Sequence, residues 1–176
     1  MDFTTYEYGV DKKREGKLKL LANLLIALYI FFVVGTFGVL YWIRLIPVGA
    51  LIPLFLWILI FFTWRYVQID DIYYIESGDL TLVRKYGNRK KKTLTELRIK
   101  EAELIAPLAD SAGAVRDFAA EREIDARPST DAVDVYVILY RDKDGKRTAL
   151  YIQATAAALK SLRYYNEKTV VTKTAV

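Results

Sequence analysis

Between Leu20 and Trp64 the chain holds no Asp, Glu or Lys, and its one formal charge, Arg44, falls in a short break at Arg44-Leu45-Ile46-Pro47. As helices, residues 20–43 run about 36 Å and residues 48–64 about 25 Å at roughly 1.5 Å per residue. The hydrocarbon core of a bilayer is about 30 Å thick and takes about 20 apolar residues per crossing. The block therefore predicts a transmembrane helical hairpin over residues 20–64, with spans at 20–43 and 48–64. A membrane address constrains everything else the chain does.

A secretory signal peptide is the competing reading of the first span, because Lys12, Lys13, Arg14, Lys17 and Lys19 resemble a charged leader. A signal peptide's apolar region runs only about 7–15 residues. Here the run is longer, and Tyr41, Trp42 and Arg44 follow it in place of a small-residue cleavage site. The span is expected to be retained.

Lys and Arg set orientation. Five precede the first span and Arg44 alone occupies the turn, while Arg65, Arg84, Lys85, Arg89, Lys90, Lys91 and Lys92 follow the second. The expected topology is a two-span protein of the cell membrane with both termini cytoplasmic. Residues 1–19 form a cytoplasmic tail in this reading. Tyr41 and Trp42 at one end, and Trp64 and Tyr66 at the other, stand where interfacial aromatic belts belong.

Gly35, Gly38, Gly49 and Ala50 would let the two spans approach closely, although glycine is in any case common in membrane helices. Pro47 suits the turn or a first helical position, and Pro53 is expected to kink the second helix. No charge sits at mid-membrane, so the usual mark of an ion or substrate path is missing.

Residues 65–176 leave about 110 residues for one small domain. Residues 66–76 are rich in Ile, Val and Tyr, Ser77-Gly78-Asp79 signals a turn, and residues 80–83 alternate as a strand does. A basic turn, Lys85-Tyr86-Gly87-Asn88-Arg89, leads to a strand candidate at 91–99, and Glu103-Leu104-Ile105 forms a short one ending near Pro107. Residues 111–130 read as a long polar loop with a helical turn near 115–123. Residues 133–140 and 147–153 flank Asp142-Lys143-Asp144-Gly145, a strong hairpin signal. Thr155 caps a final helix over 156–165, with Leu159 and Leu162 inward, and residues 167–176 read as a frayed polar tail.

Strands, a hairpin and one terminal helix fit a small antiparallel sheet or barrel closed by that helix. The whole chain is then an α+β membrane protein. This layout, with the segments 66–76, 78–92, 94–99, 103–107 and 136–153, resembles a family of small two-span membrane proteins of clostridia and related Firmicutes. That family is similar to the bacterial pleckstrin-homology-like (PH-like) membrane proteins. The resemblance implies a bent antiparallel sheet capped by a C-terminal helix and a membrane address. It brings no activity and no catalytic residues.

The best functional candidate is the basic cluster Arg84, Lys85, Arg89, Lys90, Lys91 and Lys92. Each basic residue near an anionic leaflet contributes about 1 kcal/mol of attraction. The net charge of +5 agrees with an anionic lipid surface or an acidic partner. The cluster also serves topology and keeps an edge strand soluble.

Asp142 and Asp144 with Gly145 resemble the opening of a calcium loop, but position 12 is Gln153 where that loop needs Glu. Asp70, Asp71, Glu76 and Asp79 are read as charges at a membrane exit, not as a catalytic set. The chain has no Cys and no His, which removes thiolate chemistry and the commonest acid/base and metal-binding side chain. No phosphate-binding Gly-rich loop, nucleophile elbow or zinc spacing is present. The expectation is a non-enzymatic module without cofactor or metal. It meets the bilayer and a protein partner, or alternatively anionic lipid head groups, and not nucleic acid.

Overall fold

Tyr6, Tyr8 and Val10 alternate with Thr5, Glu7 and Gly9, and this period-2 pattern folds as a strand, β1 (Thr5–Asp11). A computed structural model describes residues 5–87 and 90–171, with Thr5 and Lys90 described by backbone alone. The expected N-terminal tail is thus corrected. β1 pairs antiparallel with β2 (Ile69–Glu76), from Thr5 opposite Glu76 to Asp11 opposite Asp70. The apolar block is an insertion between two hydrogen-bonded neighbours of one sheet.

The chain divides into two units, a hairpin unit of Arg14–Ile69 with Tyr86–Lys90, and a sheet unit made of the remainder. In the hairpin unit, α1 spans Gly16–Trp42. It closes with Arg44 in the left-handed region at φ 59°. There Leu45 N–H donates to Leu40 O at 3.0 Å and Arg44 N–H to Tyr41 O at 3.2 Å, the paired bonds that end many helices. A 3-10 turn, Ile46–Leu51, then leads into α2 (Ile52–Thr63). Pro53 stands in the first turn of α2, directly after the 3-10 turn, where its missing N–H breaks no bond of that helix, and not in the helix interior where a kink was expected. Both helical stretches, Gly16–Trp42 and Ile46–Tyr66, are long and apolar enough to cross a bilayer. Their apolar side chains are largely exposed, Trp42 to 86% and Phe31 to 75%. Apolar surface on that scale demands a cover, and helices inside a soluble core do not show it.

In the sheet unit, β2 turns at Ser77-Gly78, both with positive φ, into β3 (Asp79–Tyr86), followed by β4 (Lys90–Arg98). The first sheet has the order β1-β2-β3-β4. The second holds β5 (Leu104–Pro107), β6 (Arg122–Ala126), β7 (Val135–Arg141) and β8 (Arg147–Gln153) in the order β5-β7-β8-β6. β6 runs parallel to β8, and the other pairs in this sheet are antiparallel. A short helix, α3 (Ala112–Phe118), precedes β6, so the expected long loop carries a helix and a strand.

The main core joins both sheets to the final helix, α4 (Ala156–Tyr165), through Tyr73, Ile75, Leu80, Leu82, Ile138, Ile152 and Leu162. The other face of β7, Val137 and Leu139, packs with Ala149 against Val115 and Phe118. β7 is therefore buried on both faces and reads as a continuous apolar run. Thr155 caps α4 as expected, its hydroxyl accepting the Ala158 N–H at 3.2 Å. The expected frayed tail is corrected at its start, because Val170 bridges to Ile105 and is buried. Thr169 O accepts the Ile105 N–H at 3.0 Å.

Candidate membrane-interface site

The six residues of the basic cluster do not share one environment. Arg84 lies on β3 and points into the sheet unit. Its Nε and Nη2 donate to the two carboxylate oxygens of Asp71 at 2.6 and 2.7 Å, and Nη2 also donates to Asp125 O at 2.9 Å. Asp71 is 2% exposed. A bidentate pair of this kind is a fixed structural element, which withdraws Arg84 from any lipid surface. Lys85 is half-buried, and Lys91 and Lys92 on β4 are exposed. Arg89 and the Lys90 side chain lie outside the described residues.

Gly87 is the hinge of the turn. Its φ is +55°, and a Cβ there would come within 3.0 Å of the Arg65 Cβ, so only glycine fits without displacing its neighbour. Its N–H donates to Gln68 O at 2.8 Å. The start of the basic turn is thereby tied to the residues that leave α2. Two guanidinium groups stand nearby on aromatic rings. Arg14 lies over Trp64 at 4.8 Å from the ring centre, and Arg65 over Tyr66 at 4.9 Å. The Arg14–Trp64 stacking was not legible as a spacing, since the two residues are fifty positions apart.

Of the four small residues expected between the helices, Gly49 is buried, its added Cβ lying 3.4 Å from Phe37 and 3.8 Å from Leu40. Ala50 is exposed, and Gly35 and Gly38 have nothing within 4 Å of a built Cβ. The side chains buried on this hairpin are instead Ala22, Tyr29 and Ile52. Tyr29 donates its hydroxyl to Thr63 Oγ1 at 2.6 Å, and Thr63 donates onward to Leu59 O at 2.6 Å. Both hydroxyls are thereby satisfied within the hairpin itself.

Asp70 and Asp71 point to opposite faces of β2, as neighbours in a strand must, and form no catalytic pair. Asp70 faces Asp11 across the strands. Burial, and then the Asp11 carboxylate, raise its pKa above the ordinary aspartate value, with Lys85 pulling the other way. At the β7–β8 turn, Asp142 takes Arg122 Nη1 at 2.9 Å and the Lys143 N–H at 2.7 Å. Its two oxygens are thus taken, one by Arg122 of β6 and one by the turn itself. Asp79 approaches Arg98 at 3.9 Å.

A family model described as "Bacterial PH-like domain (DUF6106)" matches residues 3–172. The matched range begins ahead of β1 and ends past α4, so it takes in the hairpin inside the sheet. No curated protein and no solved structure matches the chain. Two stacked sheets, a closing C-terminal helix and a match over nearly the whole length lead to one conclusion: the chain belongs to the family of bacterial PH-like domains.

Proposed function

We propose that this protein is a non-catalytic interaction module anchored in the cell membrane, with its PH-like domain and both termini on the cytoplasmic side. The observation that carries the reading is the register of β1 on β2. Asp11 opposite Asp70 brings the two ends of the hairpin to adjacent strands. Only residues 12–15 separate β1 from α1, and only residues 67–68 separate the end of the second helical stretch from β2. At no more than about 3.6 Å per residue, such linkers keep the domain close to the membrane. The excess of Lys and Arg on the flanks over the Arg44 turn supports the cytoplasmic side.

The proposed partner is a protein. Two surfaces suit it: the outer edge of β4, which ends its sheet and can take an added strand, and the outer face of α4, where Tyr164 is 71% exposed. The test is photocrosslinking in native membranes from the full chain, with benzoylphenylalanine at Thr93 or at Tyr164. A discrete protein adduct from either position supports the reading, and its absence from both overturns the protein partner.

A second reading is anionic-lipid contact through Lys85, Arg89, Lys90, Lys91 and Lys92. The observation that favours it is the bond from Gly87 to Gln68, which holds the beginning of the basic turn at the foot of α2.

A further inference from the structure

At the end of α2 a cleft of about 250 Å³ opens toward Tyr86 and Gly87. It is smaller than the roughly 300–1,000 Å³ of a pocket that encloses a whole small molecule. Trp57, Phe61 and Arg65 line it at intervals of four residues, so they form one stripe along the helical stretch. The stripe changes from apolar to cationic along its length. Trp57 and Phe61 stack at 5.6 Å between ring centres, and Gln68 and the Tyr86 ring stand with Arg65 at the polar end. Trp64, a further wall residue, carries the Arg14 guanidinium over its ring.

Charge is one-sided here. Through residues 14–69 and 86–90 the only carboxylate is Glu15, against Arg14, Lys17, Lys19, Arg44, Arg65, Arg89 and Lys90. Among the described residues no carboxylate reaches Arg65; its guanidinium meets the Tyr66 hydroxyl at 3.0 Å and the Tyr66 ring. The cleft thus offers an aromatic wall at hydrocarbon depth and an arginine without a counter-ion at its mouth.

We infer that this cleft is a site for one anionic glycerophospholipid of the inner leaflet. Its phosphate sits at Arg65, within the field of Arg14, and the start of its acyl chain lies along Trp57 and Phe61. A peptide or a soluble anion satisfies the mouth but not the apolar wall, which only a lipid reaches from the bilayer. The inference rests on reading α1 and α2 as spans, and it is separate from the exposed lysines of β4.

The test uses the full chain carrying Trp42→Phe, so that Trp57 and Trp64 alone fluoresce, reconstituted in phosphatidylcholine vesicles. Acyl-brominated phosphatidylglycerol and acyl-brominated phosphatidylcholine are titrated separately as quenchers. The expected result is half-maximal quenching by the anionic lipid at about five-fold lower mole fraction, the ratio one arginine supplies at a membrane surface. Arg65→Gln removes the difference, Arg65→Lys keeps most of it, and Lys91→Gln with Lys92→Gln leaves it unchanged. Equal quenching by the two lipids in the Trp42→Phe protein overturns the site and leaves ordinary surrounding lipid. A preference that survives Arg65→Gln also overturns it. Absence of quenching by either lipid overturns the spans themselves, which separates the two failures.

Discussion

Arg84 shows how far one side chain can depart from its neighbours in sequence. It stands at the head of a run of positive charge, yet it is bound on two sides, to a carboxylate only 2% exposed and to a backbone oxygen. Removing one member of a buried pair leaves the other without compensation, at a cost of about 3–5 kcal/mol. Arg84→Gln is expected to lower the stability of the full chain by about that amount, read by denaturant titration in detergent micelles. Lys91→Gln and Lys92→Gln should stay within about 0.5 kcal/mol of the parent protein. Equal effects from the two sets would mean that Arg84 is a surface charge like the lysines.

Asp70 makes a prediction in pH. Its folded-state pKa is raised, so the folded protein holds this proton more tightly than the unfolded chain. The stability it contributes is fully present below the ordinary aspartate range and is lost as pH rises through the raised value. Asp70→Asn should therefore stabilise the protein at pH 7 by about 0.2–1 kcal/mol, the range for a cross-strand charge pair. The same substitution should flatten the decline between acid and neutral pH. A variant that is less stable at pH 7, with an unchanged pH profile, would show that the Asp11–Asp70 repulsion is not felt.

Among the elements, β1 is the one that matters most to the architecture. Val10 is buried against Tyr73 and the main core. Val10→Asp puts an unpaired charge there, and a loss of at least about 3 kcal/mol is expected, seen as a lowered unfolding midpoint with loss of near-ultraviolet circular dichroism from the tyrosines. A free tail would tolerate the same change without effect.

Much at this scale could be read from residue order. β8 and α4 fall at the expected residues because Asp-Gly fixes the turn and Thr155 fixes the cap. The pattern in β1 is only Tyr6-x-Tyr8-x-Val10 beside a run of charge, and its partner lies beyond the whole apolar block. β6 is Arg-Glu-Ile-Asp-Ala, too polar to announce a strand; it is held by its parallel ladder to β8 and by Arg84 and Lys12 on Asp125 O. In the hairpin, the small residues pointed to Gly35, Gly38, Gly49 and Ala50, and of these four Gly49 alone is buried. The buried residues are Ala22, Tyr29, Gly49 and Ile52, because a uniformly apolar helix gives no period that marks its inner face. The cleft at the foot of α2 was invisible for a related reason. It needs Gly87 to come against Arg65 from a distant hairpin, and no local pattern encodes that approach.

At the scale of the whole molecule, the ordering of the chain is the mechanism. A PH-like sheet begins, two apolar helices leave and return, and the sheet resumes on the neighbouring strand. The apolar hairpin is thus built into the sheet and not appended to it, and the proposed anchoring puts both of its ends on the domain's side of the membrane. The chain has no cysteine, so single substitutions Lys13→Cys, Arg44→Cys and Asp144→Cys each report alone to a membrane-impermeant maleimide. In intact cells Arg44→Cys should label, while Lys13→Cys and Asp144→Cys should label only after the membrane is opened. Labelling of Lys13→Cys and Asp144→Cys from opposite sides, or of all three from outside, would contradict the insertion of a two-span anchor within a cytoplasmic PH-like sheet.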